Sequence, residues 1–236
     1  MIGLPIATMS LTVYYDILSQ PCRAILLFCK MNGITYTGKE IQLMKDEHKS
    51  AEYTFINPAQ LVPAIKDGDF CLGESVAILR YLVAKYKTSD HWYPADIQAR
   101  ARVDAYLAWQ HTGLRAPCLD VMMEEVYSEI LLGKPCDPEE LKRKIGELKT
   151  SFKKFEVIFL KDQKFVCSEE ISVADIMALC EIIQLLDCPS CKDILKDFPM
   201  IAAWKERVEL ILNPYHQELV DQMHAVDLTV PYTASA

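Results

Sequence analysis

The hydrophobic period of this chain changes once, and that change limits the folds open to it. Up to Tyr86 short strand-like runs alternate with apolar helical ones, whereas from about Ala99 onward only the helical period is left. Leu11-Thr12-Val13-Tyr14-Tyr15 is rich in β-formers and predicts a strand near 11–16. A helix near 20–32, a strand near 34–41, the apolar run Leu61-Val62-Pro63-Ala64-Ile65, a short Phe70-Cys71-Leu72 run and a helix from Glu74 to Tyr86 follow. The order is βαβ and then ββα. Lys66-Asp67-Gly68-Asp69 carries the Asp-Gly hairpin signal, which makes strands three and four antiparallel neighbours. Four strands with helices on their faces form a small mixed α/β sheet domain.

The polar, proline-containing stretch Lys87 to Asp96 breaks the pattern and reads as a linker. Beyond it the period predicts helices over Ala99–Val126, Pro138–Leu160, Val173–Leu186, Pro199–Leu212 and Tyr215–Met223, an all-α half. The expected division is a flexible leader over 1–10, a sheet domain over 11–86, a linker over 87–96, a helical domain over 97–224 and a tail over 225–236. Ser172-Val173-Ala174-Asp175 is a capping-box variant, and Ile171 and Ile176 complete a hydrophobic staple, so these residues are structural rather than catalytic.

With 236 residues, 51% of them hydrophobic, the chain has material for a sizeable core. A net charge of −8 without a Lys/Arg-rich block excludes a nucleic-acid backbone as the main partner, so any anion site is local. Nine cysteines, an odd number scattered through apolar segments and without a secretory leader, predict reduced thiols and a cytoplasmic location. No segment reaches about 20 consecutive apolar residues, so no membrane span is expected.

Two local features carry chemistry. Ser19-Gln20-Pro21-Cys22-Arg23 stands between the first strand and an apolar helix, with Pro21 suited to the first turn. The unpaired N–H groups and dipole of a helix start favour an anion, to which Ser19 can donate a further hydrogen bond; alternatively Ser19 or Gln20 only caps the helix. Pro63 interrupts a strand-like run, which fits either an ordinary trans proline at a sheet edge or a cis Val62–Pro63 bond that offers the Val62 backbone to a ligand.

Glu74-Ser75-Val76-Ala77-Ile78, the Ile171 to Asp175 cap, and a proline at the start of strand three joined to an all-helical half together resemble the cytosolic glutathione transferases. Ser19-Gln20-Pro21-Cys22-Arg23-Ala24, Lys66 to Phe70, and Trp92-Tyr93-Pro94 through Ala99 to Asp104 are most similar to the theta class. The resemblance covers about residues 11 to 224. It implies an N-terminal thioredoxin-like domain with a mixed four-stranded sheet, an all-α C-terminal domain that takes the electrophile, and a homodimer. It also implies glutathione as co-substrate, with no permanently bound cofactor and no metal.

Free thiols titrate near a pKa of roughly 8.5, so glutathione has to be held as thiolate. In the implied mechanism Ser19 donates a hydrogen bond to sulfur, and the thiolate attacks small electrophiles such as alkyl halides, epoxides and sulfate esters, or an organic hydroperoxide. Arg115 stabilises the thiolate or a departing anion; its plainer reading is a surface helix arginine. Glu74 accepts from the γ-glutamyl ammonium, Ser75 and its helix start bind the γ-glutamyl carboxylate, and Val62, beside Pro63, pairs with the tripeptide as an added strand. Gln20, His48 and Lys49 complete the implied glutathione contacts, although a helix cap and a solvated charge run explain them too.

Tyr14 is the rival to Ser19, because other classes place a catalytic tyrosine on the first strand. A non-catalytic binding or assembly module is the rival function. Cys188-Pro189-Ser190-Cys191 lies between helices with no second ligand pair for zinc, and two free thiols in a loop is the expected state. Gly73, where theta sequences usually carry threonine, and the short tail after His224 depart from the pattern and bear on that turn and on the cover of the electrophile site.

Overall fold

The computed structural model describes residues 11–161 and 163–227. The expected leader and most of the expected tail lie outside these residues. Strands β1 (Thr12–Tyr15), β2 (Thr37–Glu40), β3 (Ala64–Asp67) and β4 (Phe70–Gly73) form one sheet in the order β2-β1-β3-β4. β1 and β2 are parallel, joined through helix α1 (Gln20–Met31), while β1/β3 and β3/β4 are antiparallel. The register sets Val13 opposite Ile65 and Ile65 opposite Leu72, so one face of the sheet is apolar. Gly68 at φ +64° makes the hairpin turn.

The sequence reading is corrected at several boundaries. The apolar run 61–65 enters the sheet only at Ala64, after a cis Val62–Pro63 peptide bond, because proline cannot donate to a ladder. β2 is shorter than the expected strand near 34–41, and all four of its residues face solvent at the sheet edge. Between β2 and β3 the chain forms two short 3₁₀ turns, Leu43–Lys45 and Glu47–Lys49, and a helix α2 (Ala51–Ile56) that the sequence reading did not anticipate. Glu74 caps α3 (Ser75–Tyr86) rather than belonging to it.

The first helical stretch is longer at both ends than the expected Ala99–Val126, running from Ile97 to Leu132. Helix α4 (Ile97–Gln110) continues through a π turn over His111–Arg115, α5 (Ala116–Met122), a second π turn over Met123–Tyr127, and α6 (Ser128–Leu132). Helices α7 (Pro138–Lys154), continued by a π segment to Leu160, α8 (Val173–Leu185), α9 (Pro199–Leu212) and α10 (Tyr215–His224) lie where the period places them. Proline opens α7 and α9 in the first turn, where a missing N–H costs nothing.

The core runs through the seam between the two halves. α1 is buried from Gln20 to Cys29, packed against α3 on one side and α8 and α10 on the other. α8 is apolar almost all round, as a central helix must be. Its start is the expected capping box: the Asp175 carboxylate accepts from the Ser172 N–H (2.8 Å), and it also accepts from the Val166 N–H (2.7 Å) and Trp204 Nε1 (2.8 Å). Between α3 and α4, Trp92 packs edge-on against Phe28 of α1.

Candidate active site

The turn between β1 and α1 is shaped by Asp16. Its Oδ1 accepts from the Leu18 N–H and its Oδ2 from the Leu43 N–H, both at 2.8 Å. The first bond is an Asx turn; the second ties the turn to the segment that carries His48 and Lys49. Arg23, buried one turn into α1, donates to the Ile17 carbonyl (2.7 Å), to Gln184 Oε1 (2.6 Å) and to the Cys180 carbonyl (3.3 Å). One guanidinium thus joins the turn to α8.

Ser19 occupies the cap position of α1 with extended backbone, yet its hydroxyl makes no bond to the helix N–H groups. The side chain, 8% exposed, lines a cavity of about 470 Å³. Burial pushes the neighbouring Cys22 thiol up to about 12, so that thiol stays protonated beside the serine. Gln20, His48, Lys49 and Arg115 line the same cavity. Gln20 Nε2 donates to Met122 Sδ at 3.7 Å. Lys49 Nζ is 2.8 Å from Asp46 Oδ1, and His48 Nδ1 is buried without a partner. Leu119, Met122, Met123, Leu131 and Leu132 make the opposite wall apolar and soft.

A second cavity of about 230 Å³ adjoins the start of α3 and is lined by Val62, Pro63, Glu74, Ser75 and again Arg115. Leu61 in front of the cis bond is fixed through its carbonyl, which accepts from Tyr53 Oη (2.6 Å) and Asn57 Nδ2 (2.7 Å). Glu74 has φ +66°, a region that side chains rarely adopt and that recurs at ligand clamps. A Cβ at Gly73 would stand 3.1 Å from Asn57 Nδ2, so the residue before Glu74 sits tightly on the group that holds Leu61.

The structure therefore gathers all nine candidate residues around two cavities that share Arg115. Tyr14 lies elsewhere: it is buried with Tyr53, Ile56 and Ala64 and lines neither cavity. Cys188 and Cys191 are buried free thiols. Among the described residues no cluster of His, Cys, Asp or Glu fits a metal ion, and no helix is long and apolar enough to cross a membrane.

Arg115 arrives at the site through the π turn. Pro117 has no N–H for the Gly113 carbonyl four residues earlier; that carbonyl accepts from the Ser151 hydroxyl of α7 instead. A Cβ at Gly113 would run into the Trp109 ring, which only glycine leaves in place. Arg115 Nη1 donates to Glu181 Oε1 at 2.7 Å. Burial pushes the Glu181 carboxyl up, while Arg115 and Arg23 pull it down. Asp16, Arg23 and Glu181 escaped the sequence reading. The signals were there: an aspartate two residues before a turn N–H, and lone charges inside apolar helical runs, which need partners.

The arrangement sets a hydroxyl and a helix start beside an apolar cavity, and a second helix start beside an exposed stretch of backbone. It suits an extended anionic ligand that reaches from one helix start to the other. A family model of the glutathione S-transferase N-terminal domain matches residues 9–84, and one of the C-terminal domain matches residues 128–213. Glutathione S-transferase theta-3 of Mus musculus is 44% identical over 220 residues, covering 93% of this chain and 89% of that protein. Glutathione S-transferase theta-1 of Homo sapiens is 42% identical over 220 residues, covering 93% and 90%. Human glutathione-S-transferase T1-1 in its apo form superposes with a TM-score of 0.89 at 41% identity, covering 94% of this chain and 93% of that one. The human theta-class transferase in complex with the glutathione conjugate of 1-menaphthyl sulfate superposes with a TM-score of 0.86 at 36% identity, covering 96% and 94%.

Proposed function

This chain belongs to the glutathione S-transferase family, with relatives in its theta class, and from that premise we propose that it uses the Ser19 hydroxyl to hold the glutathione thiolate for attack on small electrophiles. The observation that carries this reading is the Ser19 hydroxyl, placed at a helix cap, not spent on the cap, and opening onto a cavity that Arg115 also lines. The hydroxyl is far too weak an acid to serve as base; it donates a charge-assisted hydrogen bond to sulfur, and the start of α1 adds positive potential. The thiol proton leaves to solvent. Sulfur then forms the C–S bond as the carbon–halogen or carbon–oxygen bond breaks, and Arg115 stabilises the departing halide or sulfate.

The tripeptide runs from this cavity to the second one. Its backbone pairs with Val62 beside Pro63, its γ-glutamyl carboxylate meets Ser75 and the start of α3, and its ammonium meets Glu74. Gln20, His48 and Lys49 bind its remaining polar groups. With a hydroperoxide the thiolate takes the terminal oxygen as the O–O bond breaks, leaving a glutathione sulfenic acid and, with a proton from solvent, an alcohol, and a second glutathione then displaces water from the sulfenic acid to form the disulfide. Nine free thiols support a reducing, cytoplasmic setting, and we place the chain there as a homodimer.

Turnover of a small alkyl halide by Ser19→Ala and Tyr14→Phe tests the reading. Ser19→Ala is expected to lose most of kcat and to raise the pH at which bound thiolate absorbs, while Tyr14→Phe stays near the parent. Equal losses move the role to Tyr14. Retention on immobilised glutathione with no turnover of any halide, epoxide, sulfate ester or hydroperoxide refutes catalysis and leaves a binding module.

A further inference from the structure

Arg115 borders both cavities, yet its guanidinium is held from behind. Glu181 stands in the middle of α8, fully buried in an otherwise apolar run, and its Oε1 accepts from Arg115 Nη1. A buried carboxylate is costly unless a cation compensates it. The other nearby cation, Arg23, spends its donors on Ile17, Cys180 and Gln184. Tyr106 and Cys118, both neutral and buried, are the remaining ionisable groups beside the carboxylate, with Cys180 next to it in α8. Glu181 Oε2 has no partner, and neither do Tyr106 Oη and Gln110 Oε1 on the α4 face packed against α8. The carboxylate therefore makes its hydrogen bond, among the described residues, to Arg115 alone.

We propose that Glu181 is a positioning residue for the transferase reaction, one that holds the Arg115 guanidinium at the junction of the two cavities and offsets its charge. A guanidinium has five N–H donors, and one bond to Glu181 leaves the others for an anion. The tether fixes orientation in advance, so that no reorganisation is needed as the leaving group gains charge. The counter-charge keeps the site from trapping anions in the ground state. Anions bound equally well in the ground and transition states would lower KM without raising kcat.

The inference rests on the transferase reading, so Ser19→Ala is measured beside it. Glu181→Gln keeps the shape and removes the charge. With an alkyl halide it is expected to lower kcat about tenfold while the glutathione KM stays within about twofold, and to strengthen inhibition by inorganic sulfate about tenfold. Both effects are expected to vanish in an Arg115→Ala background, because Glu181 acts through that residue. If Ser19→Ala leaves turnover intact, the transferase reading itself fails. If Ser19→Ala is impaired but Glu181→Gln costs as much with Arg115 absent as with it present, or sulfate inhibition is unchanged, the positioning role is overturned. Glu181→Met, which buries no polar atom, runs through the same cycle should the amide variant fold poorly.

Discussion

Asp16→Ala removes an acceptor that serves two backbone donors in two different segments. The Leu18 and Leu43 N–H groups each lose a 2.8 Å bond to a buried carboxylate. A hydrogen bond to a charged group contributes about 1.5–3 kcal/mol, and both donors lie close enough to the surface for water to recover part of it. The expected loss is about 2–4 kcal/mol. With a urea m-value of about 3 kcal/mol/M, the unfolding midpoint falls by about 1 M. Asp16→Asn keeps one acceptor oxygen and is expected to lose about half as much. Because the Leu43 bond anchors the segment leading to His48 and Lys49, the KM for glutathione is expected to rise severalfold in Asp16→Ala while the KM for the electrophile changes little. A midpoint within about 0.3 M of the parent, or a rise in the electrophile KM alone, refutes the clamp.

Three further perturbations read other parts of the structure. Gly113→Ala drives a methyl into the Trp109 ring and is expected to cost about 1–3 kcal/mol in urea unfolding and to lower kcat by displacing Arg115; unchanged stability shows that the π turn tolerates a side chain. Burial raises the Asp175 carboxyl to about 6, so the folded state binds its proton more tightly than the unfolded chain. This group's contribution is fully present below about pH 4 and is lost as pH rises to about 6, a decline expected to disappear in Asp175→Asn when urea midpoints are compared across that range. Saturating glutathione at about 100 times its Kd should stabilise the parent by about 2.7 kcal/mol in thermal unfolding, and a ligand shift undiminished in Glu74→Ala, Ser75→Ala would place the tripeptide elsewhere.

What the sequence disclosed depended on how many residues shared one signal. The Asp-Gly hairpin, the prolines opening α7 and α9 and the Ser172–Asp175 cap are local chemistry, and they lie where they were expected. α2 was missed because in six residues only Tyr53 and Ile56 are buried, too few for a helical period to emerge. The π turns were missed because hydrophobic period does not report which carbonyl an N–H reaches. Pro117 and Gly113 together held the clue, but the Ser151 hydroxyl that completes the turn comes from a helix far along the chain. The candidate residues carried by a recognisable motif could be named one by one, and all of them line the two cavities. Asp16, Arg23 and Glu181, whose hydrogen bonds tie together the segments around the cavities, became visible only once two segments met.

The burial of α1 also sets the two ends of the candidate site on different time scales of opening. The amides of a helix enclosed by α3, α8 and α10 exchange their hydrogens with solvent only when much of the molecule opens. The turns carrying His48 and Lys49 contain no buried residue and open by local excursions. Deuterium uptake should therefore be slow in the helix that begins behind Ser19 and fast over residues 43–49. In the proposed reading, capture of the tripeptide's polar end belongs to a surface that re-forms continually, and activation of its sulfur to one that persists until the protein unfolds.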